Sequence, residues 1–268
     1  MITDFDTYLH KFRQREIELL FEKVPAKALG QGLELGAGDG FQSTLLAKYF
    51  NNLICTEYTD EKLIRRDIPN VRYQACDAED LPFAQDQFDF IFSSNLLEHL
   101  PNIDKALAGM YKVLKNDGLM IHVMPNRTWK FLLILLYYPY LLKMSFNFKE
   151  FKQKLHGKQE KDVDPNNPKK EQSRSRLAWL KYLWPQIHGA YKSHWAEFIG
   201  YGQKRWLKLF AQNNFTVVKV RADMPLVSGY NLELNKTRSV LKKLGLTSSY
   251  AYIITKKGKE SPLLKYFK

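Results

Sequence analysis

The first 125 residues alternate short apolar runs with segments in which apolar residues recur every three or four positions. Apolar positions across residues 6–23 follow a helical repeat that ends at Pro25, which predicts an N-terminal helix. Five apolar runs then fit strands, and segments 42–50, 61–66 and 104–114 fit helices; the predicted strands are GLELGAG, NLICTEY, VRYQACDA, FDFIFSSN and GLMIHVMP. Strands that alternate with helices predict parallel pairing in a doubly wound α/β sheet.

This rhythm breaks after Pro125 and resumes only near residue 202. The later part contains the amphipathic segment QKRWLKLFAQNN, the strand FTVVKV, a helical run near 236–244 and the strand YAYIIT. These two late strands allow a seven-stranded sheet with a hairpin-like edge. We therefore expect a core formed by residues 1–126 and 202–258, an insertion at 127–201 within the same domain, and a basic tail at 259–268.

Composition and cysteine content indicate a folded protein without a disulfide framework. Hydrophobic residues make up 45% of the chain and charged residues 26%, which is typical of globular proteins. The two cysteines, Cys55 and Cys76, lie in strand-like runs, so neither disulfides nor a Cys-rich zinc site is indicated. The N-terminus lacks the features of a secretion signal, and we expect a cytoplasmic protein.

Charge is distributed unevenly between the two parts of the chain. Residues 1–125 contain 13 Lys and Arg against 19 Asp and Glu, whereas residues 126–268 contain 28 against 9. The basic part suggests an anionic partner, such as a phosphate-bearing substrate, an anionic lipid or a nucleic acid. A solvated lysine-rich surface is the alternative interpretation.

The segment GLELGAGDG carries the first sign of a ligand site. Its glycines, Gly36, Gly38 and Gly40, follow an apolar strand and precede a predicted helix, so the backbone can turn tightly and approach a ligand. A nucleotide-like cofactor is implied. The bulky Phe41 stands where the dinucleotide fingerprint requires a small residue, which argues against NAD.

Polar residues also end the next three predicted strands. Glu57 ends the second strand, where a carboxylate can accept hydrogen bonds from both hydroxyls of a ribose. Asp77 ends the third strand and can accept a hydrogen bond from an adenine amine, while the backbone of Ala78 contacts the ring edge. Ser93 and Asn95 end the fourth strand. The carboxyl ends of parallel strands form the edge where open α/β sheets bind ligands, so these residues predict one crevice.

In this combination the sequence resembles class I S-adenosylmethionine-dependent methyltransferases, and within them the type 11 group, over residues 30–126. The resemblance implies a Rossmann-like doubly wound seven-stranded methyltransferase sheet with a mostly helical insertion after the fifth strand. It implies that Glu34–Gly40 holds the methionine part of S-adenosylmethionine, that Glu57 binds the ribose, and that residues 93–99 line the methyl-transfer side. The implied cofactor-binding residues are Glu34, Gly36, Ala37, Gly38, Gly40, Glu57, Tyr58, Asp77, Ala78, Ser93 and Asn95.

Two of these positions have structural alternatives. Glu34 can serve only to cap backbone amides, and His99, in LEHL, is more often structural than catalytic. The fourth strand is followed by SSNLLEHL and lacks the [DNS]PP[YFW] run of enzymes that methylate nucleic-acid amines. We therefore expect no specific nucleic acid as acceptor.

The acceptor site is expected within the insertion, in PQIHGAYKSHWAEFIGYGQKRW. We predict catalytic roles for His188, as an acid or base on a loop at Gly189, and for Glu197, which would orient that imidazole. A packing role for His188 is the alternative. His188, His194 and Glu197 could also bind zinc, but their HxxxxxHxxE spacing matches no zinc signature, so no metal is expected.

The apolar run TWKFLLILLYYPYLLKM at residues 128–144 follows the fifth predicted strand. Its apolar core of 12 residues is shorter than the ~20 that a helical membrane span needs, and Pro139 would interrupt a helix. The run lacks a polar stripe, which favours burial over an ordinary surface helix. We expect it to form a wall of the acceptor site between Lys130 and Lys143, with insertion into a membrane interface as a second use.

The insertion is also similar to bacterial methyltransferases encoded with surface-polysaccharide genes. The matching features are Met124 and Pro125, the pair His188 and Gly189, Glu197, and Lys204 to Trp206. This similarity implies O-methylation of a sugar or an anionic, lipid-linked glycan at the inner membrane face. The alternatives are methylation of a quinone, lipid or small metabolite, and a non-catalytic RNA- or membrane-binding module, against which the intact acids argue. The oligomeric state stays open.

Overall fold

The computed structural model describes residues 4–61, 67–145, 184–227, 230 and 235–267. Its seven strands form one mixed sheet in the order β3-β2-β1-β4-β5-β7-β6. The strands are β1 Gln31–Leu35, β2 Asn52–Glu57, β3 Val71–Ala75, β4 Phe88–Ser94, β5 Leu114–Pro125, β6 Phe215–Arg221 and β7 Ser249–Lys256. Strand β7 runs antiparallel to both β5 and β6, and the other pairs are parallel. The expected Rossmann-like sheet with a hairpin-like edge is therefore confirmed.

Helices connect the strands much as the periodicity predicts. They are α1 Asp4–Leu20, α2 Phe41–Leu46, α3 Ile103–Val113, α4 Arg127–Leu135, α5 Tyr137–Ser145, α6 His194–Gly200, α7 Gln203–Gln212 and α8 Asn235–Lys243. Short 3-10 helices follow at Ala47–Tyr49, Leu97–His99 and Pro262–Tyr266. Most of the helix predicted at 61–66 and the middle of the insertion lie outside the described residues.

Two apolar layers cover the two faces of the sheet. Because successive side chains of a strand point to opposite faces, Phe90 and Phe92 of β4 enter one layer while Ile91 enters the other. Phe21, just beyond α1, packs against Phe90 and Phe92 in the first layer. This contact fixes the end of α1 on the sheet, so that its earlier residues reach the carboxyl ends of β1 and β4.

The segment 259–268, predicted as a basic tail, packs partly against the core. Residues Pro262–Tyr266 form a 3-10 helix, and Phe267 is 2% exposed within the first apolar layer. Its ring packs edge-on against Phe21. The segment packs on the core because it contains apolar residues among its lysines. Burying an aromatic side chain stabilises the fold by about 1.5–3 kcal/mol.

The apolar run at 128–144 forms helices α4 and α5. Their boundary falls at Leu136, and Pro139 lies in the first turn of α5, where its missing N–H is tolerated. The expected burial on all sides is wrong for the described residues, since large apolar side chains remain about half exposed: Phe131, Leu135, Tyr138 and Leu142. Among the described residues, no helix is long and apolar enough to cross a membrane.

Candidate active site

The glycine turn after β1 opens the candidate site. Gly36, Gly38 and Gly40 have φ angles of 73°, 54° and 69°, in the left-handed region that glycine adopts without strain. A Cβ at Gly36 would lie 3.1 Å from the side chain of Leu96, whereas a Cβ at Gly38 would meet no atom within 4 Å. The turn therefore packs against the segment that follows β4 and leaves open space at Gly38.

Glu34 supports this turn from within the fold. Its carboxylate is 2% exposed and accepts a hydrogen bond of 2.5 Å from the Ser43 hydroxyl on α2. Burial raises the pKa of Glu34. The structure thus gives Glu34 a side-chain partner on α2, so its visible role is to fix α2 against β1.

Glu57 braces the same turn from the end of β2. Its Oε2 atom accepts a hydrogen bond of 3.0 Å from the Gly38 N–H, and its Oε1 atom accepts one of 3.0 Å from the Tyr58 N–H. A carboxylate has about four acceptor positions, so both oxygens can still accept hydrogen bonds from a ribose. The side chain of Tyr58 itself is 64% exposed.

Asp77 and Ala78 lie beside Glu57 at the same edge of the sheet. Strand β3 ends at Ala75, so Asp77 begins the following loop, where its Oδ1 atom accepts a hydrogen bond of 2.8 Å from the Glu79 N–H. The Cys76 N–H donates to the Glu57 carbonyl at 2.8 Å, which joins the ends of the two strands. Both acids therefore belong to the ends of paired strands at one edge of the sheet.

The end of β4 departs from the sequence prediction for Ser93. This residue is fully buried, and a hydrogen bond of 2.7 Å joins its hydroxyl to Nδ1 of His122 on β5. Side chains alternate along a strand, so the neighbouring Ser94 takes the other face, where its hydroxyl accepts a hydrogen bond of 2.7 Å from Arg13. The geometry therefore argues against direct cofactor contact by Ser93; Asn95 follows in a left-handed conformation, with φ 52°.

Helix α1 contributes residues that sequence reasoning missed. Besides the contact of Arg13 with Ser94, a hydrogen bond joins His10 Nε2 to Asp39 in the glycine turn. The His10 ring stacks on Phe41, with ring centroids 4.0 Å apart. The spacing of His10 and Arg13, three residues apart on one helix face, is the signal that could have identified them.

The insertion docks onto the segment after β4 through a short backbone contact. The Ala190 N–H donates a hydrogen bond of 2.9 Å to the Glu98 carbonyl. Gly189 has a φ of 77°, and a Cβ added there would lie 2.6 Å from that carbonyl oxygen. The ring of His188 consequently lies near His99 and Trp129, at centroid distances of 4.5 and 4.9 Å. The predicted HG pair therefore places an imidazole beside residues 93–99.

Gly189→Ala is expected to undo this docking. The Cβ would clash with the Glu98 carbonyl, so we expect the Ala190 amide to exchange its hydrogen at least about tenfold faster, equal to about 1.4 kcal/mol. Hydrogen exchange read by mass spectrometry measures this. Gly245→Ala is the matched control, since Gly245 has the same φ of 77° and its added Cβ meets no atom within 4 Å. Equal exchange in both variants would contradict the docking role.

Glu197 does not orient His188, which corrects the predicted pairing. Its Oε2 atom lies 2.5 Å from Nζ of Lys130, and both side chains are fully buried. Lys130 Nζ also lies 2.8 Å from Nδ1 of His194. Lys130 was expected to mark a polar limit of the apolar run, but the packing of α4 on α6 encloses it. A buried ammonium needs such partners, so Glu197 positions α4 instead of contacting His188.

Glu98, His99 and His188 form a second polar cluster. One ligand atom from each side chain lies within 4.8 Å of the others. Burial raises the pKa of Glu98 to about 8. Burial, together with the nearby His99 and Lys130, lowers the pKa of His188 to about 4, and burial also lowers that of His99. Burial therefore favours the neutral form of both imidazoles. Sequence reasoning placed Glu98 within residues 93–99 but did not single it out, because His188 comes to it from the distant insertion.

A seven-stranded sheet of this order, with a glycine turn after β1 and acids at the ends of β2 and β3, defines a class I methyltransferase fold. Residues 33–122 match the methyltransferase domain family of the type 11 group. This part of the chain is therefore similar to S-adenosylmethionine-dependent methyltransferases, which supports S-adenosylmethionine as the cofactor.

Individual relatives match less than half of the chain. The uncharacterized methyltransferase YcgJ of Bacillus subtilis is 29% identical over 110 residues, covering 38% of this chain and 44% of that protein. The ubiquinone biosynthesis O-methyltransferase of Bartonella bacilliformis is 32% identical over 140 residues, covering 46% and 56%. The chain thus spans about half the length of these curated relatives.

The fold likeness extends further than the sequence likeness. A chain in the complex between the Haloferax volcanii Trm112 methyltransferase activator and a methyltransferase superposes with a TM-score of 0.58. The superposition includes 96% of this chain and 94% of that chain, at 10% sequence identity. At that identity the likeness concerns the fold alone.

The residues at the sheet edge fit S-adenosylmethionine. A ligand can approach the backbone at Gly38, where a side chain would fill the open space. Glu57 and Asp77 follow from the paired strands β2 and β3 and carry oxygens that can accept hydrogen bonds from a ribose and an adenine amine. When bound, the cofactor supplies an electrophilic methyl group on a sulfonium.

Proposed function

We propose that this protein transfers a methyl group from S-adenosylmethionine to a hydroxyl of a sugar or anionic glycolipid. The observation that carries the proposal is the docking of His188–Ala190 onto Glu98. This contact brings the side chain of His188 to those of Glu98 and His99, which belong to the segment that follows β4. A hydroxyl acceptor must lose a proton during transfer, and the cluster offers groups that can promote this loss.

The roles of the remaining residues follow from their positions. Transfer breaks the bond between the methyl carbon and sulfur and forms a bond from that carbon to the acceptor oxygen, so alignment is the main requirement. Glu57 and the glycine turn fix one side of the cleft. Trp129, which packs on His188, forms an apolar wall that helps to exclude water. The Lys130–Glu197 pair holds α4 in place and so keeps this wall in position.

The acceptor class is supported by charge and by exposed apolar groups. Residues 126–268 contain 28 Lys and Arg against 9 Asp and Glu, which suits an anionic acceptor or an anionic membrane surface. Apolar side chains of α4 and α5 remain exposed among the described residues, Phe131 at 58% and Leu142 at 61%. These features support a lipid-linked glycan used in surface-polysaccharide synthesis, with peripheral contact at the inner membrane face.

A quinone, lipid or small metabolite is the second candidate acceptor. It is favoured by the similarity to the ubiquinone biosynthesis O-methyltransferase of Bartonella bacilliformis, over 46% of this chain. The same apolar wall at Trp129 would suit a smaller apolar ring.

Methyl transfer from labelled S-adenosylmethionine tests the two candidates. Purified protein is incubated with glycolipid and quinone fractions extracted from the source cells, and label is counted in each. We expect label in the glycolipid fraction, with at least about a tenfold decrease for Trp129→Ala because alignment at the wall is lost. Label confined to the quinone fraction would support the second candidate. A protein that binds S-adenosylmethionine but labels neither fraction would overturn the proposal.

A further inference from the structure

The cluster of Glu98, His99 and His188 is built from two distant parts of the chain. Glu98 and His99 belong to the 3-10 helix after β4, while His188 comes from the insertion about 90 residues later. The glycine at 189 and the hydrogen bond from Ala190 to the Glu98 carbonyl hold the two parts together. Within the described residues, these three side chains place their ligand atoms within 4.8 Å of one another.

The carboxylate of Glu98 gives independent evidence for a bound cation. It is 2% exposed, and neither oxygen receives a hydrogen bond from another described residue. Its Oε1 atom lies 4.0 Å from Nε2 of His99. A buried ionised carboxylate without a hydrogen-bond donor is costly, so Glu98 either keeps a proton or binds a cation, and a cation between the carboxylate and the two imidazoles would offset that cost.

The donor set favours a transition-metal cation such as zinc. One carboxylate oxygen and two imidazole nitrogens match the ligands of catalytic zinc sites, whereas calcium and magnesium prefer oxygen ligands alone. Tetrahedral zinc with bonds of about 2.0–2.2 Å requires ligand atoms about 3.3–3.6 Å apart. A small closure of the three side chains from their present separation would therefore complete the site.

The alternative trio of His188, His194 and Glu197 is separated by the fold. Lys130 Nζ lies 2.8 Å from Nδ1 of His194 and 2.5 Å from Oε2 of Glu197. The ammonium thus takes the place that a metal ion would need between those two residues. His188 lies instead against His99.

We propose that Glu98, His99 and His188 bind one zinc ion, which leaves a coordination position for the acceptor oxygen. This role of the ion rests on the proposed function. An oxygen bound to zinc has a lowered pKa, so the acceptor hydroxyl loses its proton to water as the oxygen takes the methyl group. The sulfonium becomes a neutral thioether, and charge and atoms balance. His188 is then a ligand and does not accept the proton itself.

Metal binding is tested without any acceptor. Full-length protein is stripped with a chelator and titrated with Zn²⁺ by calorimetry, and with Co²⁺ by visible absorption. We expect one Zn²⁺ per chain and the absorption bands of four-coordinate Co²⁺. His99→Gln and Glu98→Gln should each weaken zinc binding at least about tenfold. Binding of S-adenosylmethionine by the same variants verifies that they are folded.

His194→Gln is the matched control, since it removes a histidine of the alternative trio. It should leave zinc affinity unchanged; loss of zinc binding in this variant but not in His99→Gln would overturn the assignment. Wild-type protein that binds S-adenosylmethionine but no stoichiometric Zn²⁺ would also overturn it, and direct proton acceptance by His188 would then explain methyl transfer. Zinc binding without methyl transfer would refute the proposed function alone.

Discussion

Lys130→Met is expected to lower the free energy of unfolding by about 3–5 kcal/mol. The substitution removes the ammonium that lies 2.5 Å from Glu197 while both side chains are fully buried, so an uncompensated carboxylate is left inside the fold. The loss of one partner of a buried pair is costly for this reason. Equilibrium unfolding in urea, with the slope compared between variants, measures the change.

Two further variants make this expectation specific. Lys115→Met removes a lysine from the partly exposed pair with Asp89, whose side chains are 38% and 30% exposed, and should cost less than about 1 kcal/mol. Combining Lys130→Met with Glu197→Leu should restore much of the stability, because no buried charge is left unpaired. If Lys130→Met costs no more than Lys115→Met, the buried pair does not have the role assigned to it.

Glu57→Ala is expected to weaken S-adenosylmethionine binding about 100-fold. The variant loses the acceptor of the Gly38 N–H, which holds the glycine turn, and the acceptor for the ribose hydroxyls. Hydrogen bonds to a charged group contribute about 1.5–3 kcal/mol each, and two of them correspond to at least about two powers of ten in affinity. Isothermal titration calorimetry with the cofactor alone measures the effect.

The control for Glu57 is an exposed acid close to it in the sequence. Glu61→Gln changes an exposed carboxylate four residues later and should alter affinity less than about threefold. Glu57→Gln keeps one oxygen acceptor and should give an intermediate loss. Cofactor binding that is equally strong in Glu57→Ala and Glu61→Gln would contradict the assignment of the ribose-binding acid.

The insertion shows where sequence reasoning reached its limit. The pair HG at 188 and 189 predicted a loop that carries the imidazole of His188. The structure gives the reason for the glycine, since Gly189 adopts a left-handed conformation against the Glu98 carbonyl. The partner assigned to His188 was wrong, because Glu197 bonds to Lys130 instead. Spacing along a chain predicts neighbours on one helix face, but it gives no distance between residues of different elements.

The sequence by itself determined the order of the seven strands along the chain and the acids that follow β2 and β3. These features depend on apolar periodicity and on local turn chemistry, and both can be read directly from the sequence. Only the tertiary structure decided that Ser94 and not Ser93 meets Arg13, that Lys130 is buried, and that Glu98 joins two histidines. Alternation along a strand shows which side chains share a face. It does not show which face, or which charged side chain, a distant helix will cover, because tertiary packing decides this.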